Sequence, residues 1–498
     1  MRIGWFLMGL YGCGAAAGEP SSETQPARSA SAPDAAPVLQ TAAPTTASAP
    51  EPAPGPPSHV VSVVADELRG CAIFDNGMMQ CWGGFNFDGE LGLGNSKEAE
   101  APGWVQGIHG VTKVALSTHA TCAIHTDGRL SCWGRKIGSS TMDNDDVLTP
   151  TRVAGVGKWR DVAISERHAC AIDEPGALHC WGESQDGQLG IGDEKLGVVR
   201  RAPQRVDGIS DVLGVLALPR GTAAWTSAGQ LFIWGRLGGP ESVPSGTAPR
   251  LVAGLADVTR AWASGQQLCA LRRDAEVRCF GDETLSAFEA GKQLDVSASL
   301  GPLLAAGQKR AIAKGKRPKS IGPLIAPDGR GVSGVIDVAV FNHDASALTK
   351  DGSVYSWGSA KHGTVGKPTN SAGFYPPTRI QGIDGAVALT GSFRHRCALD
   401  GSGAVRCFGN GGAGRLGTDS NKKESLAAVV VPGLPKVIAV AANSYCTFAI
   451  GEDHSLWAWG SSWVHACGLP GEEPTKAPTR VPLQPTSSAP LAQSSPSQ

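Results

Sequence analysis

Charge is scarce in this chain: Asp, Glu, Lys and Arg make up 18% of its 498 residues, and the formal net charge is −1. Proteins that hold nucleic acid or acidic lipid by electrostatics carry a cationic excess, so this balance speaks against nucleic acid as a partner. No run approaches the eighteen or so apolar residues of a membrane-spanning helix. Signature motifs of chemistry are lacking too. There is no H-E-x-x-H, no G-x-S-x-G, and no Gly-Lys-Ser/Thr closing a Gly-rich loop. The expectation is a binding protein, not an enzyme, with no cofactor and no metal.

Glycine is in excess, with 66 residues, nearly double the usual share of about 7%. The surplus lies inside segments that otherwise look ordered, which implies many tight turns between short strands. Cysteine is also plentiful, at 13. Ten of these fall into five pairs of constant spacing: Cys71/Cys81, Cys122/Cys132, Cys170/Cys180, Cys269/Cys279 and Cys397/Cys407. Cys13, Cys446 and Cys467 stand outside the pattern.

The first thirteen residues read as an export signal, with Arg2 followed by an apolar stretch from Ile3 to Tyr11. The stretch ends at Leu10-Tyr11-Gly12-Cys13, which resembles a bacterial lipoprotein box with Cys13 as the lipidated residue. Tyr11 stands where a small residue is usual. Residues 14–59 are Ala, Pro, Ser, Thr and Glu with almost nothing large and apolar, a composition that cannot offset its own ordering entropy. They read as a disordered tether, and residues 483–498 as a disordered tail. The chain is thus expected at the cell envelope, as an outer-membrane-anchored lipoprotein or in the periplasm or at the surface.

Between tether and tail one pattern recurs. CAIHTDGRLSCWG (122–134) returns as CAIFDNGMMQCWG (71–83), CAIDEPGALHCWG (170–182), AAWTSAGQLFIWG (223–235) and CALRRDAEVRCFG (269–281). It returns again as SALTKDGSVYSWG (346–358), CALDGSGAVRCFG (397–409) and FAIGEDHSLWAWG (448–460). The aromatic residue before the closing Gly recurs at 82, 133, 181, 234, 280, 357, 408 and 459, a period near fifty. Such a period belongs to propeller blades. Each unit reads as a β-hairpin turning at a pair such as Asp127-Gly128 or Asp351-Gly352. A strand such as DVAIS (161–165) precedes it; a Gly-rich loop such as SQDGQLGIGD (184–193) and a short strand such as TRV (151–153) follow. Four short antiparallel strands make one blade. The fold expected is an all-β propeller over residues 60–482, with eight units counted and seven or eight blades.

A three-residue loop centred on Asp127 sets Cys122 opposite Cys132, within reach of a cross-strand disulfide. In the fourth unit the two positions are Ala223 and Ile233, and in the sixth Ser346 and Ser356, so both cysteines disappear together. Paired loss favours disulfides over free core thiols, and a zinc site would need four ligands where each hairpin offers two. Cys446 and Cys467 either pair with each other or stay free.

These residues resemble the repeat family of the regulator of chromosome condensation. The likeness rests on the Gly-rich loop, the D-G-x-L hairpin, the Trp-Gly and a His two residues before the first hairpin position. His168 and His395 match that last element; Arg69 replaces it in the first unit, and His119 is shifted by one. The family usually closes with seven blades, and its members include a guanine-nucleotide exchange factor, an ultraviolet photoreceptor and a secreted β-lactamase inhibitor. The photoreceptor's Gly-Trp-Arg-His-Thr cluster is missing here. The resemblance implies a protein-interaction platform.

Weighed singly, the Gly-rich loops read as turns, His168 and His395 as satisfied structural side chains, and six hairpin tryptophans as blade core. One irregularity remains, the 77-residue gap between Phe280 and Trp357, with a basic insert at 303–330. It carries Lys309, Arg310, Lys314, Lys316, Arg317 and Lys319 without an acid between them. It is read either as a solvated loop or as a contact arm for an acidic partner. The sequence therefore points to a monomeric, non-enzymatic envelope scaffold that binds a protein or an envelope polymer, touching the membrane only through its anchor. The alternative is a regulator of an enzyme: an exchange factor for a small GTPase, or an inhibitor of an envelope hydrolase.

Overall fold

The computed structural model describes residues 57, 59–135, 146–155, 157–192, 197–236, 246–264, 267–280, 320–321, 332–341, 344–368, 374–419 and 422–485. Among them, thirty-two strands form eight four-stranded antiparallel sheets, each a meander whose strand order follows the chain. The blades span 60–104, 111–152, 159–205, 212–251, 258–321, 335–379, 386–430 and 437–480. The fold is therefore an eight-bladed β-propeller, one blade more than is usual for the family that the sequence resembles. First strands of successive blades contact one another in turn, and Val437–Ala442 of blade 8 meets Val60–Ala65 of blade 1 to close the ring.

The hairpin between second and third strands has the expected geometry. In blade 2 Cys122 lies opposite Cys132 and Ile124 opposite Leu130. The His125 amide donates to Arg129 O (2.9 Å) and Gly128 takes φ +80°, the left-handed residue of a three-residue loop. Every first strand carries a bulge at its second residue, such as Val61 or Leu213. The blade therefore has two distinct ends. Hairpin turns and blade-to-blade connections occupy the hairpin face; the turn before the second strand and the long loop after the third occupy the loop face.

Eight apolar clusters fill the eight seams between blades. Trp82, Trp133, Trp181, Trp234, Trp357, Trp459 and Phe408, all at the recurring aromatic position, are buried there. The Gly-rich loop is the other half of this packing. A Cβ on Gly190 of blade 3 would lie 2.5 Å from Trp234 Nε1 of blade 4. Gly92, Gly417 and Gly468 press on Trp133, Trp459 and Trp82 in the same way. The loop thus plugs the seam with a Leu-Gly or Cys-Gly pair, and the glycine is required by close approach of backbone to indole.

All five spaced cysteine pairs face each other across a hairpin and are bridged. Cys71 is bonded to Cys81 in blade 1, Cys122 to Cys132 in blade 2 and Cys170 to Cys180 in blade 3. Cys269 is bonded to Cys279 in blade 5 and Cys397 to Cys407 in blade 7, and the Cα–Cα distances are 4.0–4.1 Å throughout. Cys446 and Cys467 are bridged as well, tying the second strand of blade 8 to its own Gly-rich loop. Where the hairpin pair is absent other contacts take the place. Ser346 Oγ and Ser356 Oγ are 2.7 Å apart in blade 6. Arg396 of blade 7 reaches into that seam, fully buried, with Nη2 2.6 Å from Asp344 Oδ1 and its guanidinium 3.6 Å from the centre of the Phe341 ring.

Cys13, most of the tether and the cations of the insert, Lys309, Arg310, Lys314, Lys316, Arg317 and Lys319, lie outside the described residues. The insert's position in the chain is nevertheless fixed by its neighbours. The third strand of blade 5 is Val277–Phe280 and the fourth is Ser320–Ile321, so residues 281–319 connect two strands of one blade and do not separate two blades. At the other end, Leu483 and Gln484 belong to the fold and not to a tail. Leu483 packs on the seam of blades 8 and 1. The Gln484 amide donates to Gln80 Oε1 (2.9 Å) and Gln80 Nε2 donates to Gln484 O (3.0 Å).

Candidate recognition face

His168 and His395 sit at the start of the second strand of blades 3 and 7, both fully buried. His168 Nε2 lies 2.8 Å from Thr222 Oγ1 of blade 4, and Nδ1 lies 2.8 Å from Ser165 Oγ. Thr222 donates its one hydroxyl proton to Gln188 O (2.8 Å), so it accepts from Nε2–H and the imidazole is the neutral Nε2 tautomer. His395 repeats the arrangement with Thr447 (2.7 Å) and Ser392 (3.1 Å). Burial lowers both imidazoles to about 3. They are blade-to-blade clamps and have no access to a ligand. Arg69, in the same position of blade 1, donates to Ala120 O of blade 2 (2.9 Å). His119 clamps from outside that position, 2.8 Å from Asp88 Oδ2 in the loop of blade 1.

The loop face carries a feature that the repeat pattern does not announce. Aromatic and cationic side chains run without a break across blades 6, 7, 8 and 1. His362 packs edge-on against Phe393, with centroids 5.5 Å apart. Arg394 stands 4.8 Å over Phe393 and 6.0 Å from the Tyr445 ring, which Arg415 approaches to 5.9 Å. Tyr445 meets Trp463 at 5.1 Å, Trp463 meets Phe85 at 6.2 Å, and Phe85 meets Phe87 at 5.5 Å. Phe87 is 66% exposed and Trp463 46%, and among the described residues they are the only aromatics in the set of exposed large hydrophobics.

Local backbone explains how these side chains come to stand there. Phe393 and Tyr445 lie in the turns before second strands, where Ser392 and Asn443 side chains accept backbone N–H groups and hold a tight bend. Phe85, Ala413, Val464 and His465, all in Gly-rich loops of this sector, have φ values of +49 to +63°. Side-chain-bearing residues take that region at a cost, and such strain gathers at ligand-binding sites.

Polar groups in the same sector are incompletely satisfied. Among the described residues, Arg394 Nε, Arg415 Nε, Ser462 Oγ and His465 Nδ1 are buried without a hydrogen-bond partner. Burial, reinforced by the neighbouring Arg394 charge, lowers Arg415 to about 10. Cations held this way favour a negatively charged group nearby, and the aromatic rings offer flat apolar contact beside them. The acids Asp88 and Asp186, in the loops of blades 1 and 3, are held in ion pairs, Asp88 with His119 and Arg135, and Asp186 with Arg220 and Arg236.

Two models of the regulator of chromosome condensation (RCC1) repeat match residues 175–217 and 159–188. The repeat units within residues 159–217 are of the regulator of chromosome condensation type. Among curated relatives, the Arabidopsis thaliana mitochondrial RCC1 domain-containing protein RUG3 is 25% identical over 50% of this chain. That match takes in only 54% of RUG3, about half of its length. The mouse regulator of chromosome condensation is 24% identical over 60% of this chain and 71% of its own length. Prp20p from Saccharomyces cerevisiae, a crystal structure described with its binding to Gsp1p and histones, shares the fold with a TM-score of 0.52. It is 18% identical and the alignment covers 86% of this chain and 88% of that one.

The sequence-derived candidates therefore separate. The ten hairpin cysteines (Cys71, Cys81, Cys122, Cys132, Cys170, Cys180, Cys269, Cys279, Cys397 and Cys407) and the two histidines are scaffold. The loop that carries the six cations leaves the third strand of blade 5 at the loop face. The aromatic–arginine track is hidden from repeat analysis because its residues sit in loops that vary from unit to unit. A usable signal exists nonetheless: Phe85, Phe87, Phe393, Tyr445 and Trp463 are aromatics that fall outside the recurring hairpin register.

Proposed function

We propose that this chain is a non-enzymatic recognition module of the cell envelope that holds a protein or an envelope polymer on its loop face. The aromatic–arginine track across blades 6, 7, 8 and 1 carries this reading. Loops on a rigid scaffold are where recognition is placed, and aromatic and arginine side chains dominate binding energy at interfaces. The export-type start, Cys13 as a lipid attachment point and the tether of residues 14–59 suit a propeller held away from a membrane surface. Six bridged cysteine pairs suit an oxidising compartment.

A second reading, regulation of an enzyme by the same face, is favoured by the relatives, one of which is described binding Gsp1p. The compartment separates the two. Reduced cysteines in a cytosolic fraction would favour exchange-factor activity; oxidised ones favour an envelope partner or an envelope hydrolase.

The experiment is capture from an envelope extract by the full chain, compared with a Phe87→Ala/Trp463→Ala double variant. Both side chains are exposed, so the fold is expected to stand. A component retained by the wild type and lost by the variant supports the proposal. Equal retention by both moves recognition off this face.

A further inference from the structure

One position of the Gly-rich loop sets the charge at the junction with the next blade. In blades 1, 3, 6, 7 and 8 the amides of Gly92, Gly190, Gly366, Gly417 and Gly468 each donate to the carbonyl three residues earlier, at 2.9–3.1 Å, which puts the five loops in one register. Four residues before the glycine stand Asp88, Asp186, His362, Ala413 and Val464. The two aspartates reach the following blade and pair with the residue just before its second strand. Asp88 Oδ2 lies 2.8 Å from His119 Nδ1, and Asp186 Oδ2 lies 2.7 Å from Arg220 Nε.

In blade 7 the residue just before the second strand is Arg394, and the loop that reaches it, from blade 6, carries His362 where the others carry Asp. His362 does not replace the acid. Burial lowers its imidazole, the Arg394 charge lowers it further, and Asp344, which raises it, is held by Arg396 at 2.6 Å. The loop of blade 7 inverts the charge outright: two residues before the glycine, blade 1 has Glu90 and blade 7 has Arg415. The Arg394 and Arg415 guanidiniums lie 6.0 and 5.9 Å from the centre of the same Tyr445 ring, and among the described residues neither is in an ion pair. Both Nε atoms are buried without an acceptor, and Arg415 is 6% exposed. Residues 369–373 and 420–421, the parts of these two loops outside the described residues, contain no acid. Two guanidiniums therefore share one ring without a counter-charge, where the repeat elsewhere places an aspartate. Burying a charge uncompensated is costly, and a carboxylate between them relieves it.

We infer that Arg394 and Arg415 form a seat for an aspartate or glutamate side chain of an acidic peptide segment, which supplies from outside the carboxylate that Asp88 and Asp186 supply from within. A peptide is favoured because the occupant in blades 1 and 3 is itself an aspartate of a peptide loop. The exposed rings of Phe87 and Trp463 offer flat apolar contact to the residues beside the acid. This assignment rests on the loop-face reading proposed above and adds to it the charge and chemical class of the partner.

The probe is N-acetyl-Gly-(4-fluoro-Phe)-Asp-Gly-Phe amide, titrated against the full chain at low salt and followed by fluorine NMR, with the same peptide carrying Asn in place of Asp as the uncharged counterpart. The Asp peptide is expected to bind about fivefold or more tightly than the Asn peptide, from charge contacts at a desolvated seat. That preference is expected to vanish in Arg394→Gln, which removes a cation, and in His362→Asp, which fills the seat from within and keeps both arginines. An unchanged melting temperature shows each variant to be folded, and either one suffices for the test. Equal binding of the two peptides, a preference that survives the variants, or no saturable binding of the Asp peptide overturns the seat. The Phe87→Ala/Trp463→Ala capture experiment reads the loop face independently, so the seat and the face fail separately. Binding of trigalacturonate in place of the peptide, with the same sensitivity to the variants, overturns the peptide assignment.

Discussion

At the scale of single residues, the fold depends on a glycine meeting an indole. Gly190 combines φ +70° with a Cβ position 2.5 Å from Trp234 Nε1, whereas Gly192 in the same loop has φ +74° and, among the described residues, nothing within 4 Å. Gly190→Ala is therefore expected to cost about 2–4 kcal/mol, backbone strain plus overpacking, and Gly192→Ala about 1 kcal/mol from strain alone. Chemical denaturation of the two variants measures the difference; equal losses would refute the wedge. The buried histidines give a second residue-scale expectation. Their folded pKa of about 3 lies below the unfolded value of about 6.5. The unfolded chain thus binds protons that the folded one refuses, and stability falls as pH drops from about 6.5 towards 3. Glu90 acts oppositely, because burial raises its carboxyl to about 7 and stability is lost as pH rises from about 4.5 to 7. Melting curves of His168→Gln and Glu90→Gln against pH should flatten the acid and the neutral slope respectively.

At the scale of the element, the blade was legible because it repeats. A period near fifty, a hairpin turn with glycine at the left-handed position and cysteines ten residues apart specify strands, register and cross-strand neighbours together. Cys446 and Cys467 could not be decided from spacing, since their bridge joins a strand to a loop whose path the repeat does not define. Blade number was open because eight units stand against the seven blades usual for the resembled family; the structure has eight four-stranded sheets. Non-reducing peptide mapping is expected to recover six bridges, Cys71–Cys81, Cys122–Cys132, Cys170–Cys180, Cys269–Cys279, Cys397–Cys407 and Cys446–Cys467. A hairpin bridge closes a short loop and is expected to contribute about 2–4 kcal/mol at most, a magnitude that depends on the chain-entropy model. Bridges between different hairpins, or free thiols in exported protein, would contradict both the pairing and the compartment.

At the scale of the whole molecule the two faces differ in kind. Exposed aliphatic residues at the first-strand bulges, among them Val61, Leu213, Ile336, Val387 and Ile438, belong to the hairpin face. Aromatics with cations belong to the loop face, and the basic insert joins blade 5 at that same end. That division was not legible in the sequence, because Phe85 lies hundreds of residues from Arg394, Tyr445 and Trp463 and only ring closure brings them together. Reversing Lys309, Arg310, Lys314, Lys316, Arg317 and Lys319 to Glu is expected to leave the melting temperature nearly unchanged, because the insert stands outside the repeat pattern that builds the blades. It should slow association with an acidic partner, most at low salt, where screening is weakest. Coincident salt series for both proteins would reduce the insert to a solvated loop.

The central claim is that recognition takes place on the loop face. Hydrogen exchange of the full chain, with and without the component captured from envelope extract, tests it most directly. Protection is expected at residues 84–87, 392–394, 443–445 and 461–465, with the hairpin turns unaffected. Protection confined to the hairpin turns and the first-strand bulges would contradict the account.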